Sequence, residues 1–393
     1  MHFRINKLKS KLGLFGAIST FGLVFFASAA PIPLYSVYRQ TLLLNNADLS
    51  FSSVCYFVGT VFALLFLARL SNQFGRKPVV IVALILSILG VIEFITLNSV
   101  TGFYFARFVQ GLSCGLASSA AAAYVVDLAS PKLGTIAVST TPMIGLSLGS
   151  LGSGFIVETT GSLTAIYWVA FGFAVIATML VLLGKETIGW QKSAVKNAVI
   201  SLVPNIGLPE RLRHFLPAAA AVFIGTWAIG GFFQTFSAPI ARDQLHSTSV
   251  LVGSTVFAAF QIPAFFGSVL SGKISQSSGQ KIGMTGFFLS TIGLVLALAQ
   301  SSVFAVLGII VLASLTFGLA YAASIKSLLS SATLEERAGI LSLIYIIGYA
   351  GAAVPNLIVG KLASGLNLVE ITTGYAVLVG ITWLIVISKS RHQ

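Results

Sequence analysis

Runs of about twenty residues that carry almost no charge recur twelve times along this chain, each long enough to cross a hydrocarbon core of about 30 Å as a helix. They fall near residues 13 to 34, 49 to 68, 79 to 97, 103 to 126, 135 to 157, 164 to 183, 215 to 237, 250 to 270, 283 to 300, 303 to 325, 340 to 360 and 371 to 388. Of the 393 residues, 56% are hydrophobic and only 8% are charged, too few to cover the surface of a water-soluble globule. Twelve spans take up about 240 residues, which leaves short loops and no room for a soluble catalytic domain. The fold expected is an all-α membrane protein of twelve transmembrane helices. Cys55 and Cys114 both fall in apolar runs and read as small packing residues.

Arg4, Lys7, Lys9 and Lys11 before the first apolar run, and Ala27-Ser28-Ala29 at its end, imitate a secretory signal. Removing that run would leave an odd helix count, so it reads as the first span. Placing both termini in the cytoplasm puts nearly every Lys and Arg on that side; only Arg39, Arg242 and Lys361 fall outside, and Arg107 falls within the membrane. Orientation therefore accounts for the net charge of +13, and no nucleic-acid partner is needed. The longest break, residues 184 to 214, separates an N-terminal six-helix bundle over 1–183 from a C-terminal one over 215–393 and reads as a cytoplasmic linker. Its middle, Ala198 to Pro204, is mildly apolar and suits the membrane surface. Residues 68–77 and 272–281 occupy matching loops, 272 standing against 68, the offset expected of a duplicated six-helix unit.

Leu70-Ser71-Asn72-Gln73-Phe74-Gly75-Arg76-Lys77-Pro78 resembles the signature loop between helices two and three of the major facilitator superfamily, and Arg107-Phe108-Val109-Gln110-Gly111 resembles its fourth-helix signature. With twelve spans, a central linker and a repeat, the resemblance covers essentially the whole chain. It implies two pseudo-symmetric six-helix bundles. Asn72 stands where that family usually has an acid, and Gln73 where it has an arginine. The loop's sharp turn calls for Gly75, and Asn72, Gly75, Arg76 and Lys77 are the expected cytoplasmic gate, with Asp127 or the opposite half holding the cations. An uncharged Asn72 implies a weaker latch.

Two charged residues stand inside the membrane, Glu93 in helix three and Arg107 in helix four. Burial there is costly without a partner or a watery cavity, and their similar distance from the helix ends predicts an ion pair. All four histidines fall in termini or loops, so Glu93, then Asp127, is the expected proton-coupling acid. The run Gly145 to Gly154 sets small residues four apart for close helix approach and resembles the fifth-helix signature of the efflux branch. Pro31, Pro33, Pro142, Pro263 and Pro355 predict bends near the pathway. The expected substrate cavity comprises Tyr35, Gln110, Trp227, Gln234, Gln261, Tyr321, Tyr345, Tyr349 and Asn356.

The chain is expected to be a monomeric, multi-pass plasma-membrane transporter with small-molecule, proton and lipid partners and no cofactor or metal. The resemblance implies alternating access and proton-coupled export of a drug-like or metabolite solute. The alternative is a symporter or facilitator importing a neutral nutrient. A channel would need a ring of matching polar groups, an enzyme would need a nucleophile and base, and an ATP-driven pump would need a phosphate-binding loop; the chain supplies none of these.

Overall fold

The computed structural model describes residues 2–189, 202–204, 206–362 and 366–390. Lys192, Lys196, Arg391, His392 and most of the apolar linker segment lie outside them. Twelve helices are long and apolar enough to cross a membrane. They are α1 (Asn6–Thr41), α2 (Asn46–Leu67), α3 (Arg76–Ile95), α4 (Val100–Leu128), α5 (Pro131–Thr160), α6 (Ala165–Leu183), α7 (Glu210–Gln244), α8 (Val250–Ser271), α9 (Gln276–Ala299), α10 (Val303–Leu329), α11 (Gly339–Leu362) and α12 (Leu368–Lys389). No strand occurs among the described residues.

Local chemistry sets where several of these begin and break. Proline has no N–H to donate, and α1 gives up its regular turn at Pro31, passes through a tight turn at Ile32–Leu34 and resumes at Tyr35. The same cause divides α8 at Pro263, whereas Pro142 and Pro355 are carried within α5 and α11. Ser99 Oγ accepts the Gly102 N–H at the start of α4, and a reciprocal Asn367–Glu370 capping box opens α12. Wider, π-helical turns occur at Ala63–Leu67, Ala117–Ala121 and Ile240–Gln244.

The helices cluster into two compact units. The first combines Met1–Pro31 with Cys55–Pro204, and the second combines Ile32–Val54 with Asn205–Gln393. In the first, α1 lies directly on α5: a Cβ at Gly145 would strike the Gly22 carbonyl, and one at Gly149 the Phe26 carbonyl. Lipid offers no hydrophobic drive between helices, so this backbone-to-backbone contact is where packing energy is gained. In the second, Leu212, Phe215, Phe223, Leu328, Ile340 and Ile344 form a closed apolar cluster where α7, α10 and α11 begin or end. The segment 32–54 joins this unit through an Arg39–Asp243 ion pair and through Thr235, whose hydroxyl lies 2.8 Å from Ser53 Oγ and 3.0 Å from Asn356 Oδ1.

Candidate functional site

The first unit gathers its charges where α3 starts. Gly75 turns the chain at φ +96°, in the left-handed region, and a side chain there would also meet the Glu186 carboxylate. That turn directs the first N–H groups of α3 toward Glu186, whose oxygens accept from Arg76 N at 2.9 Å and Lys77 N at 3.0 Å. A carboxylate at a helix N-terminus satisfies unpaired donors and meets the positive end of the helix dipole. The Arg76 guanidinium donates to Asp127 Oδ2 at 2.9 Å, Asn72 Oδ1 at 2.6 Å and Ser71 Oγ at 2.8 Å. Lys77 Nζ donates to the carbonyls of Leu182 at 2.7 Å and Gly184 at 2.9 Å, which are the last carbonyls of α6. Thr187 Oγ1 closes the ring on Asp127 at 2.8 Å. Asn72, Gly75, Arg76, Lys77 and Asp127 thus meet in one network that ties the α2–α3 loop to α4 and to the segment after α6. Glu186, its central acceptor, was not singled out from sequence, where it reads as one more linker charge.

Glu93 and Arg107 do not pair. The ion pairs among the described residues are Arg39–Asp243, Arg76–Asp127, Arg211–Glu336 and Arg213–Glu210. The expectation of equal depth fails because α4 begins at Val100 and α3 ends at Ile95, both earlier than their apolar runs suggest. Glu93 lies two residues before the end of α3, and Arg107 seven after the start of α4. At 1.5 Å per residue these are depths of about 3 Å and about 10 Å. The Glu93 carboxylate instead faces Gly102 and Ser99 at the α4 start. Arg107 is 0% exposed, and its Nη1 donates to the Ser28 carbonyl at 2.7 Å and to Gln110 Oε1 at 2.7 Å. Its carbon Cζ stands 4.6 Å from the centre of the Tyr56 ring, a cation–π contact. Neither Ser28 nor Tyr56 carried a sequence signal that distinguishes it from its neighbours.

The residues expected to line a cavity divide into two kinds. In the second unit, Trp227 packs edge-on against Tyr349 with centroids 4.6 Å apart and lies 6.2 Å from Tyr321, while Tyr345 and Tyr349 are 6.4 Å apart. Four expected residues from α7, α10 and α11 thus form one aromatic group. Gln234 and Gln261 are half-buried on α7 and α8. Tyr35, Gln110 and Asn356 stand apart from that group: all three are buried, and both amides are hydrogen-bonded to helix backbone. Gln110 Nε2 donates to the Ala27 carbonyl at 2.8 Å, and Asn356 Nδ2 donates to the Ala352 carbonyl at 2.9 Å. A polar group buried among helices has to spend its hydrogen bonds on them. One cavity in the second unit, about 610 Å³, is an apolar groove among α7, α11 and α12, walled by Ile224, Ile347, Val354, Ile358 and Tyr375. A smaller one of about 360 Å³ lies among α1, α5 and α6, the matching helices of the repeat. Neither contains the expected cavity residues.

Residues 17–355 match the profile of the Major Facilitator Superfamily. The chain is 25% identical over 255 residues to an uncharacterized transporter of Rickettsia felis, covering 62% of this chain and 61% of that one. It is 26% identical over 145 residues to Multidrug resistance protein 2 of Bacillus subtilis, covering 35% of this chain and 36% of that one. It thus spans less than two thirds of either relative. The structure superposes on a partially occluded, inward-open form of the xylose transporter XylE from E. coli with a TM-score of 0.74, 14% identity and 98% coverage of both chains. At that identity the likeness shows the fold alone. The twelve spans, the loop and fourth-helix motifs in place and a family match over most of the chain together establish that this is a multi-pass membrane protein and that it belongs to the Major Facilitator Superfamily.

Proposed function

We propose that the chain is a plasma-membrane secondary transporter that exports a drug-like or metabolite solute in exchange for protons, by alternating access between its two halves. The observation that supports the coupling is the state of Glu93: this acid, two residues before the end of α3, takes part in no hydrogen bond or ion pair found among the described residues. A carboxyl free of such ties can gain and lose a proton during the cycle without breaking a bridge. Asp127, by contrast, is committed to Arg76 and Thr187 and is assigned to the gate, with Asn72, Gly75, Arg76 and Lys77. The aromatic group of Trp227, Tyr321, Tyr345 and Tyr349 supplies an amphipathic surface for the solute, and Gln234 and Gln261 are assigned to the same cavity. Both termini are assigned to the cytoplasm on the distribution of Lys and Arg, and the chain is taken to act as a monomer.

The outward direction rests on the small-residue run of α5 and on the similarity to the Bacillus subtilis protein, whose name denotes multidrug resistance. The second reading is uptake of a neutral nutrient by symport or facilitation. Vesicles reconstituted with the chain and given an imposed pH gradient separate the two. Solute moving against the proton flow supports export, and solute accumulating along it defeats export. Glu93→Gln is expected to abolish the dependence on the gradient; full coupling in that variant removes Glu93 as the proton carrier.

A further inference from the structure

Arg107 is a permanent cation in the middle of a span, and its surroundings leave its charge unanswered. Both acceptors on Nη1, the Ser28 carbonyl and the Gln110 amide oxygen, are neutral. The other two nitrogens, Nε and Nη2, are buried and have no hydrogen-bond partner. These are not an arbitrary pair. The N–H bonds of Nε and Nη2 run parallel along one edge of the guanidinium, at the spacing of the two oxygens of a carboxylate, and this edge takes a carboxylate in a two-pronged hydrogen bond. Nη1 holds the ring in place from the other side, and Tyr56 supports its face. The result is a fixed, buried donor edge with the geometry of a carboxylate's partner.

We propose that this edge is the recognition site for the carboxylate of a transported solute, so that the substrate class is an amphiphilic organic monocarboxylate. The assignment deepens the transporter reading and rests on it. A single guanidinium balances one negative charge; no Lys or Arg other than Arg107 lies inside the apolar spans, so multiply charged anions are disfavoured. Gln110 has a positioning role. Its amide bridges the Ala27 carbonyl to the Arg107 Nη1, which fixes the guanidinium against α1.

The test is a binding measurement, independent of transport, on the full chain in nanodiscs of zwitterionic phosphatidylcholine. Radiolabelled octanoate is the probe, and octanamide, of the same shape without the charge, is the competitor. A charge-assisted pair against a neutral one predicts that octanoate binds about tenfold more tightly than octanamide. Arg107→Lys keeps the charge but loses the parallel edge and is expected to forfeit most of that preference; Arg107→Gln should abolish it. Should Arg107→Gln fail to fold, the wild-type ratio and the lysine variant still decide. Equal affinity for octanoate and octanamide in the wild type overturns the assignment, as does an unchanged preference in Arg107→Lys. Loss of octanoate binding when phosphatidylglycerol is added to the nanodiscs assigns the edge to a lipid headgroup and overturns it too. In each of these cases the pH-gradient experiment with a neutral solute still stands, so failure here is distinguishable from failure of the transporter reading.

Discussion

The two units solve one structural problem with different chemistry. Positions 76 and 186 of the first unit recur as 280 and 390 in the second, by the same offset that sets 272 against 68. In the first, Arg76 and Glu186 stand in a charged network with Asp127 and Lys77. In the second, Gln280 and Ser390 meet directly, Ser390 Oγ donating to Gln280 Oε1 at 2.6 Å, with Ser277, Ser324 and Ser327 completing a neutral, buried cluster. In both units a segment following a long helix grips the start of another, α6 and α3 in the first and α12 and α9 in the second, through ions in the first and through hydroxyls and an amide in the second. Charged links respond to water, pH and salt, whereas a dry cluster of neutral groups responds to little. At this one place, therefore, the link in the first unit is the one expected to respond to pH and salt.

The sharpest way to test whether each half is a rigid body is to disturb its backbone contacts. Gly149→Leu places a side chain where the Phe26 carbonyl lies and should cost at least about 3 kcal/mol, read as a large fall in the unfolding temperature of the purified protein. An unchanged temperature would show that α1 and α5 slide freely. Next in size, Glu186→Ala strips the acceptor from two N–H groups at the α3 start and is expected to cost about 2 kcal/mol and to slow transport. The matching change in the other half, Ser390→Ala, removes one hydroxyl from a cluster whose remaining members can re-pair, and should cost about 1 kcal/mol or less with transport unaffected. If the two variants behave alike in both stability and transport, the contrast between the halves has no functional content.

Much of this architecture was legible in the amino-acid order, and what escaped was of one kind. Helix count follows from where charge is absent, a one-dimensional property. The Arg76–Asp127 contact was accessible because a loop cation and a helix-end acid were both conspicuous against an apolar background. The expected Glu93–Arg107 pair failed because Ser99 caps α4 three residues before its apolar run suggests and α3 stops two residues before its own run ends, which together separate the two in depth by about 7 Å. Glu186 was missed since its role comes from a turn at Gly75, more than a hundred positions away. Gln110 and Asn356 look like cavity residues because polarity in a span attracts notice. Whether such an amide faces a solute or a neighbouring carbonyl depends on packing, which periodicity does not encode.

The smallest effect concerns the charged link that the second unit does possess near the start of α11. Glu336 accepts from Arg211 Nη1 at 2.9 Å and from the Thr333 N–H at 2.9 Å. These contacts, the Arg211 hydrogen bond foremost, hold its carboxyl down to about 2, well below the ordinary glutamate value of 4.5. A lowered value means that the folded protein favours the ionised form. The stabilisation is therefore complete above pH 4.5 and drains away as pH falls toward 2. The unfolding temperature of wild type minus that of Glu336→Gln should stay level from pH 8 to pH 5 and narrow below that. The pair is open to solvent, so the difference should be small and should shrink further in salt. A difference that narrows between pH 8 and pH 6 would mean that some other group titrates there, and the second unit would then hold a pH-sensitive element that its neutral cluster gives no reason to expect.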